Sequence, residues 1–218
     1  MANCVQEILD QNLDKVVIHS NLNFFEKNKN KPQFKNAVVI RTILKSKYKL
    51  NIDEKNINLL MGSNTHLVVY PINNKSELNL VCIVREKNFD SDNIRSLIDE
   101  KILSQNLNLK DLFQGDIKSW PLYSTNTALP SSNKKVFYIG DAFYGLLPTM
   151  AQGATQSIEG AYDLFTLLKE NSEGAHNIYF KNRSLRVKIV KRRSNLNFFA
   201  FHLSSSFMQK IRNIFLKF

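Results

Sequence analysis

A chain of 218 residues is long enough for one substantial core, or for one domain with part of another. Its 43% hydrophobic and 22% charged residues exclude a disordered or fibrous protein. The net charge of +11 is uneven: residues 174–218 hold ten Lys and Arg and no acid, so the other 173 residues carry only +1.

Cys4 and Cys82 match no zinc or redox spacing, and no basic-then-apolar leader opens the sequence. No apolar run approaches the roughly 20 residues that cross a bilayer. These features point to a reducing, cytoplasmic setting.

Val5, Ile8, Leu9 and Leu13 predict a helix over 4–13, and the polar stretch 21–31 reads as a loop. From Ala37 onward the pattern is β. Runs at 37–44, 57–62, 65–72 and 77–86 predict an antiparallel sheet, with "PINNKSE" turning the chain between the last two. A helix is expected over 91–102, with Ser91 as N-cap and Ile94, Leu97, Ile98 and Ile102 on one stripe. The chain is extended again around 117–125, and 134–139 is a short buried-strand candidate. Helical patterns over about 149–170 and 178–218 complete an α+β chain.

The segment "VFYIGDAFYGLLPTMAQGATQSIEG" (136–160) carries the most chemistry. A strand ends at Gly140, where a missing Cβ permits a sharp turn or the near approach of a ligand. Asp141 then stands at the carboxyl end of a strand, where α/β sheets bind ligands, and its carboxylate suits the hydroxyls of a sugar or sugar alcohol. Pro148 stiffens the crossing. Gln152, Gly153 and Ala154 open a helix with the stripe Ile158, Ala161, Tyr162, Phe165 and Leu168. Small residues there admit a flat ligand to amides that lack intrahelical partners, and the helix dipole favours negative charge. Such a site suits a polyol joined to an electron-accepting ring. Gly-Asp after a strand is by itself also an ordinary structural turn; the full combination is less common.

"GDAFYGLLPTMAQGATQSIEGA" resembles the second flavin-binding motif of the FAD-dependent aromatic monooxygenases, the salicylate, para-hydroxybenzoate and ubiquinone-pathway hydroxylases. The likeness extends to "THLVVYPINNKSELNLVCIV", similar to a substrate-domain hairpin, and to "PQFKNAVVIRTI", with Arg41 in the place of the family's arginine. "YFKNRSLRVKIVKRRSNLNFFAFHL" is similar to the C-terminal helix. The resemblance implies that Gly140 and Asp141 meet the ribityl chain and that Pro148 flanks the isoalloxazine ring. Gln152, Gly153 and Ala154 would face the ring's pyrimidine edge. It implies FAD as cofactor, NAD(P)H and O2 as co-substrates, and a small aromatic substrate. It assigns no catalytic residue. The segments then read as a remnant of the FAD domain (1–36), a substrate-domain sheet (37–130), the flavin-ring half of the FAD domain (131–173) and basic helices (174–218).

Two departures matter. The seven glycines, at 62, 115, 140, 145, 153, 160 and 174, form no GxGxxG turn for the FAD pyrophosphate. In "VVIHSNL" (16–22), Val16 and Val17 stand where the family has Asp-Gly. The chain accordingly reads as a truncated copy, a split enzyme whose partner chain brings the Rossmann half, or a pseudoenzyme, and is expected to hold FAD weakly or not at all alone. Phe143 and Tyr144 also replace the usual Ala-His, and Gly160 replaces an acid.

In the basic tail, Phe207, Ile211, Ile214, Phe215 and Phe218 recur at helical spacing, with Lys210, Arg212 and Lys217 elsewhere. Two readings stand: an amphipathic cationic end lying peripherally on an anionic inner-membrane surface, or a stripe packed on the core with solvated charges. "KNRSLRVKIVKRR" (181–193) lacks any helix-turn-helix, zinc-finger or RNP-like companion, so nucleic acid is not the expected partner. His19, His66, His176 and His202 have no metal-ligand spacing, and no GxSxG elbow supports a hydrolase. Tyr70 and Arg41 are weak candidates to face a substrate.

Overall fold

The computed structural model describes residues 17–19, 32–45, 53, 55–105, 107–125, 130, 134–170 and 174–215. The helix expected over 4–13 and the loop over 21–31 lie outside the described residues. The strands are β1 (Val17–His19), β2 (Gln33–Lys45), β3 (Asn58–Gly62), β4 (Thr65–Ile72), β5 (Glu77–Arg85), β6 (Lys118–Ser124) and β7 (Val136–Tyr138). The helices are α1 (Ile94–Ile98), α2 (Gly140–Phe143), α3 (Gly153–Lys169), α4 (Ala175–Phe201) and α5 (Ser206–Phe215). The fold is mixed α+β, as its sequence pattern predicts. It divides into two compact units. One comprises Tyr123–Asn195 with the chain up to Gln33; the other comprises Phe34–Leu122 and Leu196–Phe218.

The second unit is built on a five-stranded sheet in the order β3-β4-β5-β2-β6. β4 pairs antiparallel with both β3 and β5, and β5 with β2, which sets Ile40 opposite Cys82 and His66 opposite Ile83. The hairpin turns use Asn64 (φ 57°) between β3 and β4, and Asn73 and Asn74 (φ 48° and 55°) between β4 and β5. Asn tolerates that left-handed backbone better than other residues with a Cβ. Alternate residues of β4 and β5 face opposite sides. Leu67, Val69, Leu78, Leu80, Cys82 and Val84 pack with Ile98, Ile102, Leu103, Leu112 and Phe113 in a fully apolar layer. Each such aliphatic side chain contributes about 1.5–3 kcal/mol on burial. Cys82 is part of this layer: burial pushes its thiol up to about 12, so it acts as a small hydrophobe.

On the opposite side of the sheet, His66 meets the end of α4. Its ring lies 5.2 Å from that of Phe201, and its Nδ1 is 3.1 Å from Nε2 of His202. The helix over 91–102 forms later than its sequence suggests. Asn93 precedes its first turn, and the Ser91 hydroxyl bonds Asp92 rather than capping the helix.

The first unit pairs β1 with β7 in parallel, Val17 opposite Val136 and His19 opposite Tyr138. Its core is Phe137, Phe143, Tyr144, Leu164, Tyr179 and Val187. The expected terminal helical run is broken at His202–Ser205, which separates α4 from α5. Among the described residues, no helix is long and apolar enough to cross a membrane.

Candidate functional site

β7 runs into Ile139 and then Gly140, whose φ of +55° favours glycine. Gly140 also packs against α3. A Cβ placed there would lie 2.4 Å from the Ser157 hydroxyl and 3.2 Å from its Cβ. Ser157 Oγ in turn donates to the carbonyl of Gly153 at 3.0 Å. The Gly-Asp element and the opening turn of α3 are therefore held side by side through one serine. Asp141 lies in the short helix α2, with its residue exposed, yet the protein around its carboxyl removes enough water to raise its pKa above the usual aspartate value.

The loop between them is clamped at several points. Gly145 N–H donates to Thr125 Oγ1 (2.9 Å), and Thr125 N–H returns a bond to the Gly145 carbonyl (3.0 Å). Pro148 opens a tight turn closed by Ala151 N–H to the Pro148 carbonyl (2.8 Å), with Ala151 at φ 51°. Thr149 Oγ1 donates to the carbonyl of Ser194 on α4 (2.7 Å), and Ser194 Oγ donates to that of Leu147 (3.3 Å). The loop thus presents Pro148 from a fixed backbone.

Gln152 stands at the N-cap of α3 without capping it by its side chain, so the first amides of the helix have no side-chain acceptor. A Cβ at Gly153 would meet nothing within 4 Å, leaving open space over that turn, and Ala154 beside it is exposed. An uncapped, open helix start attracts negative charge. The six residues singled out in the sequence are distributed accordingly: Gly140 and Asp141 in α2, Pro148 in the clamped turn, and Gln152, Gly153 and Ala154 at the mouth of α3.

Arg183 is the supporting residue that the sequence did not single out. Only 2% exposed, it donates from Nη2 to the Gln156 side-chain oxygen (2.8 Å) and carbonyl (3.2 Å). From Nη1 it reaches Glu159 Oε1 (2.9 Å) and Asp163 Oδ2 (3.1 Å). Arg186 adds a bond to Glu159 at 2.9 Å. Burial works against the Glu159 charge, but the hydrogen bonds from Arg186 and Arg183 outweigh it and hold the carboxyl below its ordinary value. Gly160 accommodates this crossing, since a Cβ there would come within 3.2 Å of the Tyr179 hydroxyl. No local signal marked Arg183, because the burial of Gln156 that demands a partner is set only once α3 and α4 cross.

The side of α3 that this arrangement buries is Gln156, Gly160 and Leu164. The stripe of Ile158, Tyr162 and Phe165 is left 71%, 69% and 61% exposed. Tyr144, where the sequence departs from the flavoprotein motif, is buried with its hydroxyl unpartnered and its ring 5.6 Å from Lys191 Nζ. In the other unit, Arg41 Nε donates to Asn79 Oδ1 (2.7 Å) across β2 and β5.

No protein-family model matches the sequence. Solved structures do match the fold. Klebsiella pneumoniae HpxO, in complex with FAD and uric acid, superposes with a TM-score of 0.75 at 13% identity, over 91% of this chain and 56% of that one. This is the fold of FAD-dependent aromatic hydroxylases. A salicylate hydroxylase substrate complex matches at TM-score 0.68 and 17% identity, covering 89% of this chain and 55% of that hydroxylase. The tetracycline destructase Tet(51) matches at 0.65 and 17%, covering 93% and 59%. The chain spans little more than half the length of these hydroxylase-fold relatives, and at such identities the likeness is one of fold.

Proposed function

We propose that this chain is the flavin-ring half of an FAD-dependent aromatic monooxygenase, completed by a dinucleotide-binding half outside these residues. The observation that supports it is the Gly140–Ser157–Gly153 contact, which brings a left-handed glycine and its acid beside an uncapped helix mouth. The residues present fit one end of FAD. Asp141 can accept hydrogen bonds from ribityl hydroxyls, Pro148 can border the ring, and the amides near Gly153 and Ala154 can stabilise negative charge on its pyrimidine edge. They do not fit the other end, since no GxGxxG turn is present to receive the pyrophosphate.

Bound FAD would supply the hydride and oxygen chemistry, with NAD(P)H and O2 as co-substrates and a small aromatic ring as acceptor. The protein's own contribution is positional. The Thr125, Ser194 and Thr149 bonds fix the loop that carries Pro148, and Arg183 fixes α3, so the helix amides need not reorganise when charge develops.

Titrating the full chain with FAD, FMN and riboflavin tests this reading through flavin fluorescence and absorbance. Weak binding with equal affinity for all three is expected, because the adenylate has no cradle here, and Asp141→Ala should weaken all three alike. FAD binding far tighter than FMN, or flavin spectra unchanged at millimolar concentration, would refute it. A co-purified partner chain that turns the complex yellow and confers NAD(P)H oxidation is the corresponding test for the complete enzyme.

A further inference from the structure

Helix α5 is turned inside out. Two of its polar residues face the protein: Arg212, 8% exposed, donates from Nη1 to the Ala200 carbonyl (3.1 Å), and Gln209 Nε2 donates to that of Leu203 (2.6 Å). The first occupies a carbonyl that the end of α4 leaves open, the second a carbonyl of the break that follows it. Of the apolar stripe, Ile211 is half-buried and Phe218 lies outside the described residues, while the other three face outward. Phe207, Ile214 and Phe215 are 68%, 59% and 77% exposed, so the alternative that this stripe packs on the core does not hold for them. Phe207, Ile214 and Phe215 stand at i, i+7 and i+8, a single face, while Lys210 flanks it and is exposed.

We propose that α5 is an interfacial helix that lies on an anionic lipid surface, its two phenylalanines and Ile214 inserted at headgroup level. Charge decides among possible occupants. The chain carries a net charge of +11 and α5 holds Lys210 and Arg212 with no acid, so a second copy would bring like charge against like, whereas anionic headgroups complement it. At the bend between α4 and α5 a cleft of about 630 Å³ opens, with Arg85, Lys87 and Lys101 against the single acid Glu86 in its lining, beside Phe199 and Leu203. Its excess of cations next to apolar carbons complements an anionic headgroup. The geometry fits lying rather than spanning: ten helical residues extend only about 15 Å. None of the flavin contacts enters this inference.

Co-sedimentation of the full chain with vesicles tests it. With phosphatidylglycerol–phosphatidylcholine vesicles the protein should pellet, with phosphatidylcholine alone it should not, and high salt should reduce the binding. Phe207→Ser/Phe215→Ser should lower partition by about a hundredfold, with far-UV circular dichroism unchanged because both positions are exposed. Phe215→Trp should give a blue shift in emission on anionic vesicles. No binding to anionic vesicles, undiminished binding of the double serine variant, or absence of the blue shift would overturn the proposal. So would a dimer, seen by light scattering, that the serine substitutions dissolve, since a second copy would then own this face.

Discussion

Arg183 of α4 grips both the Gln156 carbonyl and the Glu159 carboxylate of α3, at 3.2 and 2.9 Å. A buried guanidinium thereby sets how the helix with the candidate site leaves its loop. Arg183→Met should destabilise this unit by about 2–4 kcal/mol, below the largest buried-pair losses because Glu159 and Asp163 are partly exposed and can rehydrate. Arg183→Lys should lose less, keeping the charge but not the fork. Urea unfolding followed by circular dichroism reads both. The depressed Glu159 pKa adds a pH signature: its contribution is present above the ordinary value of 4.5 and is lost as pH falls through the lower folded value. Glu159→Gln should flatten that part of the acid unfolding profile.

Gly140 combines a left-handed backbone with contact to Ser157. Gly140→Ala should cost about 2–4 kcal/mol, part from the backbone and part from the clash. Adding Ser157→Ala removes the hydroxyl at 2.4 Å but not the Cβ at 3.2 Å, so it should restore only part of the loss. A double-mutant cycle by chemical denaturation measures the coupling, and strict additivity would show that the two residues do not touch.

Two buried tyrosines separate a hydroxyl with a partner from one without. Tyr179 Oη donates to the Tyr138 carbonyl at 2.9 Å, whereas the Tyr144 hydroxyl has no partner and burial pushes its pKa up to about 12. Tyr179→Phe should lower stability by about 1–2 kcal/mol, while Tyr144→Phe should be neutral or stabilising by up to about 1 kcal/mol. The thermal midpoint should fall for Tyr179→Phe and hold or rise for Tyr144→Phe.

In the sheet unit, burial and then the neighbouring His202 depress the His66 pKa to about 3. His202 is also depressed, by burial and by Arg85, although its bonds to the Phe198 and Ile83 carbonyls oppose this. The His66 imidazole is therefore neutral in the folded protein near neutrality. The stabilising contribution of neutral His66 is full above the unfolded value of 6.5 and drains away as pH falls from 6.5 towards 3, by about 5 kcal/mol at the acid extreme. His66→Phe should give a shallower acid limb in a stability–pH profile, with the neutral-pH end set by packing against Phe201 and His202.

The strands were legible because β-branched runs such as "THLVVYPI" alternate between two covered faces, and Asn-rich turns punctuate them. The Gly-Asp segment was legible as a set of residues with a spacing. Its support was not, because Arg183 and Ser157 matter only once α3 and α4 cross, and nothing local marks that pairing. The facing of α3 was equally hidden. Periodicity identifies the stripe of Ile158, Tyr162 and Phe165, but it is the opposite side that turns inward, where Gln156 meets buried Arg183 and Leu164 joins the apolar core. The break after α4 carries no Gly or Pro; there His202 is tied to the Phe198 and Ile83 carbonyls, a tertiary cause invisible in composition.

The uncovered side of α3 has a cellular consequence. A folded chain that displays Ile158, Tyr162 and Phe165 offers chaperones and proteases the kind of surface by which they recognise unfinished proteins. Its abundance in the cell is then expected to lie below what the depth of its own folding well alone would set.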